Sequence, residues 1–160
     1  MTDTNFGSLG EPVKRTQTRV RMAARALGRN DLGHAFGHVS ARLDADRFLV
    51  CAPKPMGLIA PEDEGTIVPI EGTLPDGVLG EVRCHQQSYK RRPDVNGIAR
   101  TFLRDVMTLS TFQRTPKSRI GFASYFAPFP PLWDHPLLLR DDAAALTFAE
   151  TLGNARAIVM

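Results

Sequence analysis

The alternation of apolar and polar residues predicts a helix followed by several short strands. Between positions 13 and 28, apolar residues recur at every third or fourth position among basic ones, which predicts an amphipathic helix. The segment HVSARL, residues 38–43, alternates polar and apolar side chains as a half-buried strand does, and residues 47–51 predict its hairpin partner. The segment TIVPI, residues 66–70, predicts a third strand, and Pro69 favours a sheet edge.

The second half of the chain predicts two more helices and two buried strands. Residues 79–90 predict a helix, and the apolar run 95–99 predicts a buried strand. Two acids at 141–142 open a further helix, where negative charge is favoured, and Gly153 ends it. The terminal segment ARAIVM, residues 155–160, predicts another buried strand, so we expect the chain to be cut short there.

Short strands mixed with helices predict an α/β fold, with a mainly antiparallel sheet in a two-layer or three-layer α/β/α arrangement. Residues 1–12 are polar and contain two glycines and a proline, which predicts a flexible N-terminal arm. Residues 13–160 then form one domain, the size expected of a chain of 160 residues.

Composition and charge argue against a nucleic-acid-binding, membrane-spanning or secreted cysteine-rich protein. The formal net charge is +3, well below that of a typical nucleic-acid-binding domain, and no segment has the length and apolarity of a membrane span. Cys51 and Cys84 lie far apart without a CxxC pattern, so a secreted cysteine framework is not indicated, although a disulfide between them stays open. We therefore predict a cytoplasmic protein that binds neither nucleic acid nor membrane.

Glu81 and His85 are the first candidates for chemistry. Their spacing of four places both on one face of the predicted helix. Partial burial beside an imidazole would raise the pKa of the carboxyl group toward a range useful for general acid–base catalysis. The alternative is an ordinary surface pair on a helix.

A second group of candidates could bind an anion. The loop Gly37-His38-Val39-Ser40 could present backbone N–H groups, because glycine lets the chain approach a ligand closely. His34 and His38 have a metal-binding spacing for a helix, but the glycines oppose a helix there. Arg100 ends an apolar strand, and either an anionic ligand or a carboxylate such as Asp94 would satisfy it.

Three segments together resemble the class II aldolase/adducin family. They are ARALGRNDLGHAFGHVSARL, FLVCAPKPMGLIAPED and the run E-x-x-x-H-x-x-x-Y-x-x-R-P-D-V-N that begins at Glu81. The resemblance spans residues 20–160 and implies a three-layer α/β/α sandwich with a central antiparallel sheet. It also implies a homo-oligomer, usually a cyclic tetramer, with sites near the subunit boundaries.

The resemblance implies a divalent metal, often zinc, held by a His-x-His pair and a later histidine. Here those two positions hold Arg100 and Phe102, neither of which has a lone pair to donate, and the chain ends before the third. No metal ligand and no cofactor is therefore predicted. The resemblance also implies that Glu81 is the acid/base residue.

The positions that hold phosphate in sugar-phosphate members also differ, since they read Leu79-Gly80 and Cys51-Ala52-Pro53 here. The sequence thus predicts a lyase that cleaves a carbon–carbon bond or decarboxylates next to a carbonyl, on a small, non-phosphorylated, anionic substrate. Glu81 is its predicted catalytic residue. The predicted substrate-binding residues are Gly37, His38, Ser40 and Arg100. The alternatives are an adducin-like assembly domain without catalysis, or an inactive fragment of the family.

Overall fold

Four short strands form one antiparallel sheet in the computed structural model, which describes residues 10–160. Their order across the sheet is β3-β2-β1-β4, so β3 and β4 are its edges. Each strand pairs antiparallel with its neighbours, as predicted. The strands are β1 (His38–Arg42), β2 (Arg47–Val50), β3 (Thr66–Pro69) and β4 (Gly97–Arg100).

Helices cover both faces of this sheet. Within the described residues, none combines the length and apolarity needed to span a bilayer. The α-helices are α1 (Glu11–Arg29), α2 (Arg83–Arg91), α3 (Arg104–Ser110) and α4 (Asp142–Leu152). Short 3-10 helices occur at Met56–Leu58, Gly80–Val82 and Gly121–Phe126.

Alternate residues of the strands build two cores on opposite faces. On one face, Val39 and Leu49 pack with Val20 and Ala24 of α1. On the other face, Phe48, Val50 and Val68 pack with Tyr89 of α2, while α4 packs behind α2 against residues such as Cys84. The arrangement is α1, then the sheet, then α2 with α4, which confirms the three-layer α/β/α prediction.

The ends of two helices follow from local chemistry. Helix α1 begins at Glu11, two residues before the predicted start, because Pro12 suits a first turn whose N–H groups are unpaired anyway. Residues 1–9 of the predicted arm lie outside the described residues. Helix α4 begins after Asp141, whose carboxylate accepts a hydrogen bond of 2.8 Å from the Ala144 amide, and it ends at Gly153 with φ of 51°.

Two strand predictions were wrong in extent or burial. The run predicted at 95–99 forms β4 two residues later, and it is half-exposed because it lies at an edge of the sheet. The terminal segment ARAIVM makes a single bridge, between Val159 and Leu132, instead of a strand. Val159 is nonetheless buried, so the segment contributes apolar packing without a ladder of hydrogen bonds.

Candidate active site

The polar side chains of β1 point into the protein interior, toward α2. His38 and Ser40 share one face of the strand and are 2% and 1% exposed. His85 and Tyr89 are four residues apart on α2, so they share the helix face that meets them, and both are also buried. A strand and a helix thus bring four polar side chains together between the sheet and α2.

These four side chains form a continuous line of hydrogen bonds, which we call the polar relay. His38 Nδ1 lies 3.0 Å from His85 Nε2. His85 Nδ1 lies 2.6 Å from Ser40 Oγ, and Ser40 Oγ lies 2.9 Å from the Tyr89 hydroxyl. The guanidinium of Arg42 lies over the Tyr89 ring, 4.8 Å from its centroid, and closes the far end of the relay.

Burial keeps every member of the polar relay uncharged at neutral pH. Desolvation, helped by the nearby Arg100 charge, lowers the pKa of His38 to about 4, although Glu81 opposes this shift. The pKa of His85 also lies well below its usual value, first because of desolvation and then because of the nearby charges of His38 and Arg100. Burial raises the pKa of Tyr89 to about 12. The relay therefore consists of two neutral imidazoles and two hydroxyl groups.

One atom of the polar relay has no hydrogen-bond partner within residues 10–160. Among the described residues, His38 Nε2 is buried without a hydrogen bond. His38 lines a narrow pocket of about 10 Å³, whose walls include Cys51, Val78 and Leu79. A space of that size holds about one water molecule or one oxygen atom. An unpaired buried polar atom is uncommon and costly, so this nitrogen is the natural point of contact for a ligand.

Arg100 lies directly across from His38. The two residues are Cα partners in the pairing of β1 with β4, so their side chains share one face of the sheet. The Arg100 guanidinium lies over the Phe102 ring, 4.8 Å from its centroid. Within residues 10–160 it forms no ion pair, and Asp94, its predicted alternative partner, binds Arg92 at 2.8 Å instead. Its positive charge is therefore not neutralised by an ion pair within these residues, and it lowers the pKa values of nearby site residues such as His38.

Glu81 lies in the 3-10 turn before α2 and not on the helix face of His85. Its Oε1 accepts a hydrogen bond of 3.1 Å from Arg140, while His85 is engaged by His38 and Ser40. Neither the oriented Glu81–His85 pair nor the surface pair of the sequence analysis is formed. Burial favours a higher pKa for Glu81, but its own backbone amide, Arg140 and Arg100 outweigh burial. The predicted rise in pKa was therefore wrong, and Glu81 is a carboxylate at neutral pH.

Two backbone N–H groups of the predicted anion-binding loop donate hydrogen bonds within the protein and are not free for an anion. The Gly37 amide donates to the Gly33 carbonyl at 3.0 Å, and the Val39 amide donates to Cys51 Sγ at 3.4 Å. A Cβ on Gly37 would lie 2.9 Å from the Arg100 carbonyl oxygen, so glycine is required for β4 to pass this close. Ser40 lies inside the polar relay and does not line the pocket. Of the predicted binding residues, the structure brings His38 and Arg100 together.

Sequence reasoning missed the partners that connect these residues. His85 was paired with Glu81 by spacing, yet its contacts are 45 and 47 residues away along the chain. Tyr89 is one position of the run that begins at Glu81, and no local pattern marks Arg140 as a partner of Glu81. The spacing of four between His85 and Tyr89 was the available signal, because it places both on one helix face.

The donor set does not suit a divalent metal at the positions implied by the resemblance. Arg100 is a cation and Phe102 has no donor atom, and the two stack on each other. In the part of the chain that the structure describes, no group of three or more His, Cys, Asp or Glu side chains is arranged to hold a metal ion. His38 and His85 contact each other through ring nitrogens, which leaves one imidazole nitrogen free.

Comparisons with known proteins agree with this architecture. The family model described as the class II aldolase and adducin N-terminal domain matches residues 18–160. The L-fuculose-1-phosphate aldolase of Thermus thermophilus has a similar structure, with a TM-score of 0.79 and 23% identity over 92% of this chain. No curated protein matches the chain in sequence.

Two further structures share the fold. An aldolase II superfamily protein from Pseudomonas syringae aligns with a TM-score of 0.75 and 18% identity over 94% of this chain. YgbL from Klebsiella pneumoniae, a candidate aldolase/epimerase/decarboxylase, aligns with a TM-score of 0.74 and 17% identity over 94%. The chain spans 75% of the length of the Thermus protein, 64% of the Pseudomonas protein and 76% of YgbL.

Proposed function

Because the chain belongs to the class II aldolase and adducin family, we propose that it is a lyase that acts on a small, non-phosphorylated, anionic substrate. It cleaves a carbon–carbon bond or decarboxylates next to a carbonyl group. The observation that carries the proposal is the position of Arg100, a cation without an ion-pair partner among the described residues, directly across the sheet from His38, whose Nε2 atom is unpaired there. No observation favours the assembly-only alternative over the lyase.

Glu81 is the proton carrier in this proposal. When a β-hydroxy carbonyl compound is cleaved, the hydroxyl proton passes to the Glu81 carboxylate and its oxygen becomes a new carbonyl. The electron pair of the broken carbon–carbon bond forms an enolate on the other fragment, and the proton then returns to the enolate carbon. The lowered pKa of Glu81 supports the first transfer because it keeps the group ionised. Its ion pair with Arg140 holds the carboxylate in place.

Arg100 balances the negative charge of the substrate and of the enolate. A fixed guanidinium in a partly desolvated site stabilises a developing oxyanion, which is the role the resemblance gives to a metal ion. The field of Arg100 reaches His38, His85, Glu81 and Cys84, each of whose pKa values it lowers. Arg100 is therefore electrostatically coupled to Glu81 and to both imidazoles of the polar relay.

The absence of phosphate in the substrate is inferred from the pocket wall. The Thermus relative is named for a phosphorylated sugar. Here the pocket beside His38 is lined by residues such as Cys51, Ala52 and Leu79, and Thr66 is its one side chain with a hydroxyl group. A phosphate dianion needs several donors, and this wall supplies few.

We also propose that the chain forms a homo-oligomer, with the tetramer implied by the resemblance as the expected size. Exposed aromatic side chains of the segment 120–129 support a buried contact there, since Phe122 is 82% exposed and Phe129 is 54% exposed. The cytoplasmic location stays a prediction from the sequence.

The proposal is tested by assaying the purified chain against 4-hydroxy-2-oxo acids for aldol cleavage and against 2-oxo and 3-oxo acids for loss of CO2. We expect Glu81→Gln to lower kcat by roughly 10²- to 10⁴-fold, because the proton carrier is lost. We expect Arg100→Gln to lower kcat/KM by roughly 10²- to 10³-fold.

Matched controls replace the same residue types at exposed positions. Glu150→Gln on α4 and Arg104→Gln on α3 should leave turnover unchanged. Full activity of Glu81→Gln would remove its assigned role, and a wild-type chain inactive on every one of these acids would overturn the proposed lyase.

A further inference from the structure

The hydrogen atoms of the polar relay can be counted. Both imidazoles are neutral, so each carries one N–H, and each hydroxyl carries one O–H. Among the described residues, Ser40 is the one acceptor for the Tyr89 hydroxyl hydrogen, since the Ile98 backbone N–H can only donate to it, and Ser40 has two partners, Tyr89 and His85. Each of the three links in the relay takes one hydrogen, so the direction of one link fixes the next.

In the first direction, every hydroxyl hydrogen finds an acceptor. Tyr89 donates to Ser40, and Ser40 donates to His85 Nδ1. His85 then carries its hydrogen on Nε2 and donates to His38 Nδ1. His38 must carry its own hydrogen on Nε2, the atom that has no partner. This direction leaves one unpaired buried group.

The opposite direction leaves two unpaired buried groups. His38 would donate from Nδ1 to His85, and His85 would donate from Nδ1 to Ser40. Ser40 would then donate to Tyr89, whose own O–H would have no acceptor among residues 10–160. His38 Nε2 would be an unpaired acceptor as well. A stranded buried hydroxyl hydrogen costs about 1–3 kcal/mol, so the first direction is favoured.

We infer that the polar relay fixes His38 as an Nε2–H donor that, together with Arg100, binds a carboxylate group of the substrate. Ser40 is the positioning residue that sets this direction, because its hydroxyl must donate to His85. The inference deepens the proposed lyase function, on which its assignment to a substrate rests, by naming the anion and its two donors.

A carboxylate suits one buried donor beside a fixed cation. One of its oxygens can accept from His38 Nε2 in the pocket of about 10 Å³. Arg100 does not line that pocket, but it lies close enough to lower the pKa of His38, so its charge also favours a bound anion. The Cα partnership of His38 and Arg100 sets their Cβ atoms about 5 Å apart on one face of the sheet. The remaining pocket wall is mainly apolar, with residues such as Val50, Val78 and Val82. A third anionic oxygen would find few donors there.

The direction of the relay is measured by long-range ¹⁵N–¹H correlation spectra of the ¹⁵N-labelled chain at pH 7, which distinguish the two imidazole tautomers. We expect both His38 and His85 to carry hydrogen on Nε2, and the spectrum of His38→Asn assigns the His38 signals. A wild-type His38 that carries its hydrogen on Nδ1 overturns the inference by itself, whatever the activity of the enzyme.

Two relay variants test the cause of the direction. In Tyr89→Phe the Ser40 hydroxyl still donates to His85, so His38 should keep its hydrogen on Nε2. In the double variant Ser40→Ala, Tyr89→Phe both hydroxyls are gone, none is stranded, and the two directions become equal. We expect mixed tautomers of His38 in the double variant, with circular dichroism as the check of folding. An unchanged tautomer in the folded double variant would contradict the role of Ser40.

Binding of pyruvate and of inorganic phosphate to the wild-type chain, followed by calorimetry, tests the ligand class. We expect pyruvate to bind more tightly than phosphate, and to bind roughly tenfold or more weakly to His38→Phe and to Arg100→Gln. Arg104→Gln should bind pyruvate as the wild type does. Tighter phosphate binding, or no effect of either substitution, would overturn the carboxylate site. If the tautomer and binding results hold while no acid is turned over, the lyase proposal fails and the binding site stands.

Discussion

Strand β1 presents two opposite kinds of surface to the two layers that enclose it. Toward α1 it offers Val39, which packs among apolar side chains such as Leu49 and Val20. Toward α2 it offers His38 and Ser40, which are as deeply buried but hydrogen-bonded. Adjacent residues of β1 therefore have different roles. The face with Val39 stabilises the fold, and the face with His38 and Ser40 carries the candidate chemistry.

Leu49→Ala breaks the apolar face and should have the largest effect on stability. Leu49 is 1% exposed, and removing its side chain leaves a cavity between the sheet and α1. We expect the free energy of unfolding to fall by about 3 kcal/mol, measured by urea denaturation. Leu58→Ala, at a position 73% exposed, is the matched control and should change it by less than about 0.5 kcal/mol. Equal effects of the two substitutions would contradict the assignment of this core.

Acidification should weaken the polar face selectively. The pKa of His38 is about 4 in the folded chain and about 6.5 when it is unfolded, so the unfolded state binds more protons between these values. The stability due to neutral His38 is complete above pH 6.5 and is lost as pH falls toward 4. Between pH 7 and pH 5 we expect a loss of about 2 kcal/mol from His38 alone, with a further loss in the same direction from His85.

Urea denaturation of two asparagine variants at both pH values isolates this contribution. His38→Asn should reduce the pH dependence, whereas His34→Asn, at an exposed loop position, should retain it. A wild-type chain equally stable at pH 7 and pH 5 would show that the buried imidazoles are protonated at little cost. That result would contradict the lowered pKa values of His38 and His85.

Tyr89→Phe tests the polar face of β1 and should cause the smallest change in the free energy of unfolding. It removes one hydrogen bond of 2.9 Å and leaves the ring packed against Phe48. We expect a loss of about 1 kcal/mol in the free energy of unfolding, measured with urea, because Ser40 keeps its link to His85. Tyr125→Phe, where the tyrosine is 59% exposed, should have almost no effect. If both variants matched the wild type, the Tyr89 hydroxyl would add nothing to the polar face.

The local elements could be predicted because their signals lie within a few residues. Strands β1 to β3 and helices α1 and α4 follow from periodicity and from end signals such as Asp141 and Gly153. Helix α3 was missed because its seven residues are too few for the spacing of Val106, Met107 and Leu109 to establish a helical period, and none of them is buried. Strand β4 was placed too early for a related reason, since an edge strand is only partly buried.

The candidate site was less predictable because its contacts are long-range. The alternation in HVSARL shows that His38 and Ser40 share a face, and a polar face is ordinarily expected to meet solvent. It is buried here because His85 and Tyr89 supply matching partners from a helix more than 40 residues away. Spacing along the chain instead favoured Glu81 as the partner of His85, since local pairs are the ones that sequence can reveal.

The close approach at Gly37 has a consequence for reading mutational data. Any side chain there would press on the Arg100 carbonyl and on the Cε atom of Met56, which already occupies the space a new Cβ would need. A saturation screen for activity would therefore score position 37 as essential, although it supplies no group that reacts. Intolerance at this glycine would report the spacing of two strands, and it would distinguish residues that shape the site from those that perform its chemistry.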